Sequence, residues 1–192
     1  MSQRAVIVVD IQNEYFPGGK LELTNIDRAS VNASRLIHAA RTKGVPLFHV
    51  RHEMPDAAAP IFTAGSDGVQ IHASVSPQGD EPVILKHNPN SFLGTDLKAQ
   101  LDELGVEELV IVGAMSHMCI EATTRAAADF GYKVTVAHDA CATMDLEFNG
   151  QTVPAAQVHA TAMAALAFAY ASIDSTDSVV SLLNDPKPPI GT

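Results

Sequence analysis

The sequence has no tryptophan, only two cysteines and little positive charge. Each shortage excludes something. Cys119 and Cys141 are too few to staple a disulfide framework. Lys and Arg total 12 against 22 Asp and Glu, a net charge of −10, so the chain lacks the basic face with which a nucleic-acid binder neutralises phosphates. No apolar run approaches the roughly 20 residues of a membrane span. The first run, Ala5–Val9, stops at Asp10 and is too short for a signal-peptide core. A soluble, cytoplasmic protein is expected, with a small-molecule substrate and neither a nucleic-acid nor a membrane partner. In that compartment the Asn32-Ala33-Ser34 glycosylation pattern is a chance match. A P-loop, a G-x-G-x-x-G fingerprint and a G-x-S-x-G elbow are all missing, and His52-Glu53-Met54-Pro55-Asp56 is not H-E-x-x-H.

What is present is a core. The 192 residues are 46% apolar and 18% charged, which fits one domain over residues 1–192. A chain of this length withdraws about 70% of its unfolded surface from water. Short apolar runs predict strands at Ala5–Val9, Val45–Val50, Val83–Leu85, Leu109–Val112, Val134–Ala137 and Tyr170–Ile173. Such unbroken runs suit strands covered on both faces. Helical periods lie between them. Ala33, Leu36, Ile37 and Ala40 form one stripe, stopped at Gly44. Leu97, Leu101 and Leu104 form another, with Thr95 as N-cap and Gly105 as stop. A third helix is expected from His117 to Phe130 with Ser116 as its cap, and a fourth from Pro154. This alternation predicts a parallel sheet between helical layers. Residues 53–80 break the rhythm with Pro, Gly, Ser and Asp, and read either as a functional lid or as a surface loop.

Ligands of open parallel sheets bind beyond the carboxyl ends of the strands. Asp10 follows the first strand there, Lys86 the third, and Gly113-Ala-Met-Ser-His-Met-Cys119 the fourth. Taken singly, Asp10 reads as a turn residue, Lys86 as a strand's exit to water, and Cys119 as a small buried hydrophobe. Together they offer a nucleophile, a base and a cation. In the first turn of a helix capped by Ser116, the Cys119 thiol is expected to have a lowered pKa, with backbone N–H groups nearby for an oxyanion. His117 is an alternative base, and Cys141 reads as packing. His49, His52 and His72 raise the question of metal, but His49 and His52 fall on opposite faces of a strand. Phe16, Phe62 and Phe92 are candidates for a pocket wall or plain core.

The chain resembles the isochorismatase-like cysteine hydrolase superfamily from about Ala5 to Ile173. The marks are Val-Val-Asp10-Ile-Gln-Asn, Leu-Lys86 with Asn90-Ser-Phe92-x-Gly-Thr-x-Leu97, Gly113-Ala-Met-Ser-His-Met-Cys119, Thr123–Gly131 and Asp139-Ala140. The resemblance implies a three-layer α/β/α sandwich on a six-stranded parallel sheet. It also implies a catalytic triad of Asp10, Lys86 and Cys119, and a cis peptide at Ala114–Met115. Backbone N–H groups of Met115 and Cys119 would form the oxyanion hole, and the chain would be a homo-oligomer. Isochorismatases proper lack the cysteine, so Cys119 points to C–N bond hydrolysis. Nicotinamidases carry a metal-binding Asp-x-His where this chain has about Arg51-His52-Glu53, so no metal or other cofactor is expected. The Tyr15–Gly19 and Val153–Gln157 segments are similar to metal-free members.

The expected activity is therefore hydrolysis of a small amide or ureide through a thioester on Cys119. Phe16, Phe62, His87, Asn88 and Phe92 are the pocket candidates. The alternatives are a metal-dependent nicotinamidase-type amidase, a redox thiol with Cys141 resolving, and a non-catalytic oligomeric scaffold packed through the Ala-rich helix at Ala155–Ala169.

Overall fold

The computed structural model describes residues 3–56 and 58–184. Its centre is a six-stranded parallel sheet of β1 (Gln3–Val9), β2 (Leu47–His52), β3 (Val83–Lys86), β4 (Val106–Ala114), β5 (Lys133–Ala142) and β8 (Ser172–Asp174), in the order β3-β2-β1-β4-β5-β8. The apolar runs of β1, β2 and β4 are buried on both faces, whereas the edge strand β3 departs from that expectation, with Val83 and Leu85 exposed and only Ile84 and Lys86 buried. Val6 and Val8 pack into one core with Ala33, Leu36 and Ile37 of α1 (Ile26–Lys43) and Val179 and Leu183 of α5 (Thr176–Asn184). Ala5, Ile7 and Val9 pack into the other, with Leu97 and Leu101 of α2 (Leu97–Glu103), Ala127 of α3 (Glu121–Asp129), and Met163 and Leu166 of α4 (Ala155–Ala169). The period of two along β1 thus feeds two helical layers, giving an α/β/α sandwich.

Strand order reverses at β1. The chain moves one way from β1 to β2 and β3, then returns to place β4 on the other side. The crevice at such a switch point is where open α/β sheets hold ligands, and the residues after β1 and β4 lie there. Gly113 makes the close approach feasible. A Cβ at that position would fall 1.9 Å from the Val9 carbonyl oxygen, and its φ of +129° is one that side-chain-bearing residues avoid.

Several elements differ from the sequence expectation. Helix α1 begins seven residues before Ala33. Its first residue follows Asn25, which holds a left-handed φ of 61° with no side-chain cap, so the usual start signal is missing. Gly44 does end it, with its N–H on the Ala40 and Arg41 carbonyls. Ser116 does not cap the third helix. It lies inside a π-helical turn, Ser116–Ile120, that precedes α3, and its hydroxyl donates to the Ala142 carbonyl at 3.2 Å. The hairpin β6 (Leu146–Phe148) and β7 (Gln151–Val153) was not expected, although Asn149-Gly150 is the turn chemistry it uses.

Residues 53–80 are pinned to the loop after β1. The segment holds 3₁₀ turns at Asp67–Val69 and Ala73–Val75 and buries Ala59, Phe62, Val69 and Val75. The buried Glu14 carboxylate accepts from the Phe62 N–H at 3.0 Å, and Gln12 Nε2 donates to the Val69 carbonyl at 2.8 Å.

Candidate active site

Asp10, Lys86 and Cys119 come from three strand ends and meet. Lys86 Nζ stands 2.7 Å from Asp10 Oδ2 and 3.3 Å from Cys119 Sγ. Asp10 and Lys86 have no solvent exposure and Cys119 has 6%. Asp10 leaves β1 with a left-handed φ of 51°, unusual for a residue with a side chain, and its N–H is tied to the Val50 carbonyl at 3.0 Å. Lys86 spans from the outer strand β3 across β2 to reach the switch point. The Ala114–Met115 peptide is cis. The Met115 carbonyl accepts from the N–H groups of Met118 at 3.0 Å and Ile120 at 3.2 Å, which winds the turn that carries Cys119.

Burial dominates the protonation chemistry. It raises the Asp10 pKa, while the charge of Lys86 and hydrogen bonds from Lys86 and Cys119 pull it back. Burial also works to neutralise Lys86, but the charges of Asp10 and Cys119 and its bonds to both leave its pKa raised. The Cys119 thiol is pushed up to about 12, first by burial and then by the Asp10 charge. This corrects the expectation of a thiol lowered by a helix N-terminus. Burial and the Asp10 charge together outweigh the opposing pull of Lys86. The resting sulfur therefore carries its proton and is hydrogen-bonded to Asp10.

The other candidates sort themselves. His117 engages the Thr143 hydroxyl through Nδ1 at 2.7 Å. Cys141 is buried in β5, its thiol donating to the Ala137 carbonyl at 3.4 Å. Phe62 sets its ring edge-to-face on Tyr15 at 5.1 Å and on His52 at 5.2 Å. Phe16 stacks on His72 at 3.6 Å. Phe92 lies in the core with Leu97, Leu101 and Tyr132 and sets its ring against Tyr132 and the exposed Phe130. His87 is exposed and bonds the Glu53 carbonyl at 2.7 Å, and Asn88 is half-buried beside it.

Sequence reasoning passed over two neighbours. Tyr15 is buried, and its pKa is raised by burial and then by the charges of Asp10, Cys119 and Glu14, which sets its phenol in the field of the site. Gln12 is buried two residues past Asp10. Its carboxamide accepts from the His52 N–H at 2.8 Å and donates to the His52 carbonyl at 2.9 Å. Both lay inside quoted motifs, Gln12 in Asp10-Ile-Gln-Asn and Tyr15 at the head of Tyr15–Gly19, and those motifs were the available signal.

The residues do not fit a divalent ion. Among the described residues no group of three or more His, Cys, Asp or Glu is arranged to hold one. His52 Nδ1 faces the Lys86 ammonium at 3.4 Å, His72 Nδ1 pairs with Ser74 Oγ at 2.8 Å, and His49 Nε2 pairs with Glu81 at 3.0 Å. Nor, among the described residues, is any helix long and apolar enough to cross a membrane.

Known proteins share this architecture. YddQ, an isochorismatase family protein of Bacillus subtilis, is 49% identical over 91% of this chain and 97% of its own. The crystal structure of a protein from Oleispira antarctica, 52% identical, matches with a TM-score of 0.90 over 94% of this chain and 97% of its own. Streptothricin hydrolase of Streptomyces noursei is 33% identical over 80% of this chain; the match spans 55% of that longer protein. The isochorismatase domain model matches residues 4–174, strand β1 through strand β8, and so the chain belongs to the isochorismatase-like hydrolase family.

Proposed function

We propose that this chain is a cysteine amidohydrolase that cleaves the C–N bond of a small amide or ureide. The observation that carries the reading is the buried Asp10–Lys86–Cys119 contact, at 2.7 and 3.3 Å from one ammonium. It needs all three groups, which neither a redox thiol nor a scaffold requires. The likeness to a hydrolase of streptothricin supports the bond class.

The chemistry follows from the protonation states. Cys119 holds its proton until a carbonyl arrives. Asp10 then takes the thiol proton as the sulfur attacks, so the thiolate never stands alone in a dry site. Lys86 keeps Asp10 anionic beforehand and balances the charge on the sulfur during attack. The Met115 and Cys119 N–H groups are assigned to the oxyanion, where a donor is worth about 3–4 kcal/mol. Protonated Asp10 gives its proton to the leaving nitrogen, which departs as amine or ammonia. Asp10 next deprotonates a water that attacks the thioester carbonyl. The acid leaves, and the proton returns to sulfur.

The test is a screen for ammonia or amine release over small amides and carbamoyl compounds, with intact-mass analysis after rapid quench. Turnover with a transient acyl mass on Cys119 is expected. Turnover with no sulfur adduct under any quench, or no turnover of either class, would set the proposal aside.

A further inference from the structure

We propose that His52 is a positioning residue, whose imidazole Nδ1 gives Lys86 the third acceptor that fixes its ammonium between Asp10 and Cys119. The inference rests on the cysteine-hydrolase reading of the same site. An ammonium has three N–H donors and no lone pair. Asp10 Oδ2 pairs with the ammonium at 2.7 Å, Cys119 Sγ accepts an N–H at 3.3 Å, and His52 Nδ1 lies at 3.4 Å as the third acceptor. Because lysine can only donate, Nδ1 must be the bare nitrogen and the proton must sit on Nε2.

His52 is placed for this by the sheet itself. It is the register partner of Lys86 across β2 and β3, so the two side chains rise side by side on one face. Its backbone is gripped on both sides by the Gln12 carboxamide, at 2.8 and 2.9 Å. Its ring is braced edge-to-face on Phe62 at 5.2 Å. Arg51 pairs with Glu53 at 2.6 Å, and His87 is occupied by the Glu53 carbonyl. Burial, then the charges of Lys86 and His87, lower the His52 pKa to about 4, so the ring is uncharged at neutral pH and fit to accept. The Lys86 stem is fully buried, so what two partners leave free is the rotation of the ammonium group. The third bond turns a flexible cation into a fixed one.

The test needs no substrate. In a Cys141→Ser background, iodoacetamide labels Cys119, and its rate is read at one mildly alkaline pH. His52→Leu removes the acceptor, and a hydrogen bond to a charged group is worth about a tenfold to hundredfold effect. Labelling should slow about tenfold or more in His52→Leu and return to within about threefold of the parent in His52→Asn, whose amide oxygen stands where Nδ1 stood. Adding His52→Leu to Lys86→Met should change nothing further, because the two act through one bond. Equal labelling in the parent and His52→Leu, or additive effects with Lys86→Met, would overturn the proposal. Should His52→Leu fail to fold, the nitrogen shifts of the His52 ring in the parent protein decide. A bare Nδ1 and protonated Nε2 at neutral pH are expected; an Nδ1–H ring would refute the bond. A chain that hydrolyses no amide yet shows this labelling pattern would overturn the proposed function and leave the role of His52 standing.

Discussion

Lys86 Nζ lies 2.7 Å from Asp10 Oδ2 with both side chains fully withdrawn from solvent, although Lys86 ends the outer strand β3 and Asp10 follows the inner strand β1. A buried pair of this kind is costly to assemble and costlier to break. Desolvation of two ions consumes most of their attraction, so the pair contributes little net stability. Removing one partner, however, leaves the other charged and alone in a dry site.

Lys86→Met should therefore destabilise the fold by about 3–5 kcal/mol, measured by urea unfolding near neutral pH. The pH dependence has a definite sign. Burial works against the charge, but the Asp10 and Cys119 charges together with the bonds to both hold the Lys86 pKa above 10.5 in the folded state. Its contribution is thus fully present below 10.5 and is lost as pH rises through the higher folded value. The Met variant should lack that alkaline loss.

The rate should fail first on the acid side. Asp10 must be a carboxylate to accept the thiol proton, and burial raises its pKa above the ordinary 3.8. In a pH profile of kcat/KM, the acid limb should fall with a one-proton slope centred above that value. Asp10→Asn keeps the shape of the side chain and removes the base; it should cost about a hundredfold or more in rate. A limb that survives in Asp10→Asn would move the role of base to another group, His117 first.

The resting thiol should be sluggish toward alkylating agents. With its pKa pushed up to about 12, Cys119 is almost wholly protonated at neutral pH. Iodoacetamide should label it more slowly than a free thiol of pKa about 8.5, read by mass spectrometry of the Cys119 peptide. Labelling faster than the free thiol would show a preformed thiolate, and the proton-transfer step assigned to Asp10 would fall.

This last property was the part of the site least legible in the sequence. The strand runs were readable because a parallel strand buried on both faces must be continuously apolar, as Ala5–Val9 is. Asp10 and Lys86 were readable because a charge that ends such a run stands at the sheet's edge. Position alone, however, cannot give a pKa. The thiol's state depends on how deeply the surrounding structure buries it and on a carboxylate more than a hundred residues away in the chain. Local signals also misled where a tertiary contact replaced a local one. Ser116 has the chemistry of an N-cap, but its hydroxyl is spent on the Ala142 carbonyl of the neighbouring strand. The grip of Gln12 on His52 joins two strand exits that no spacing rule connects.

The most direct measurement compares the turnover of Cys119→Ala with that of the parent protein, on whichever small amide or carbamoyl compound the screen finds. If the sulfur is the nucleophile, the substitution removes the covalent route and turnover should drop about a thousandfold or more, with the fold intact by circular dichroism. A Cys119→Ala protein that turns over as fast as the parent would contradict the account.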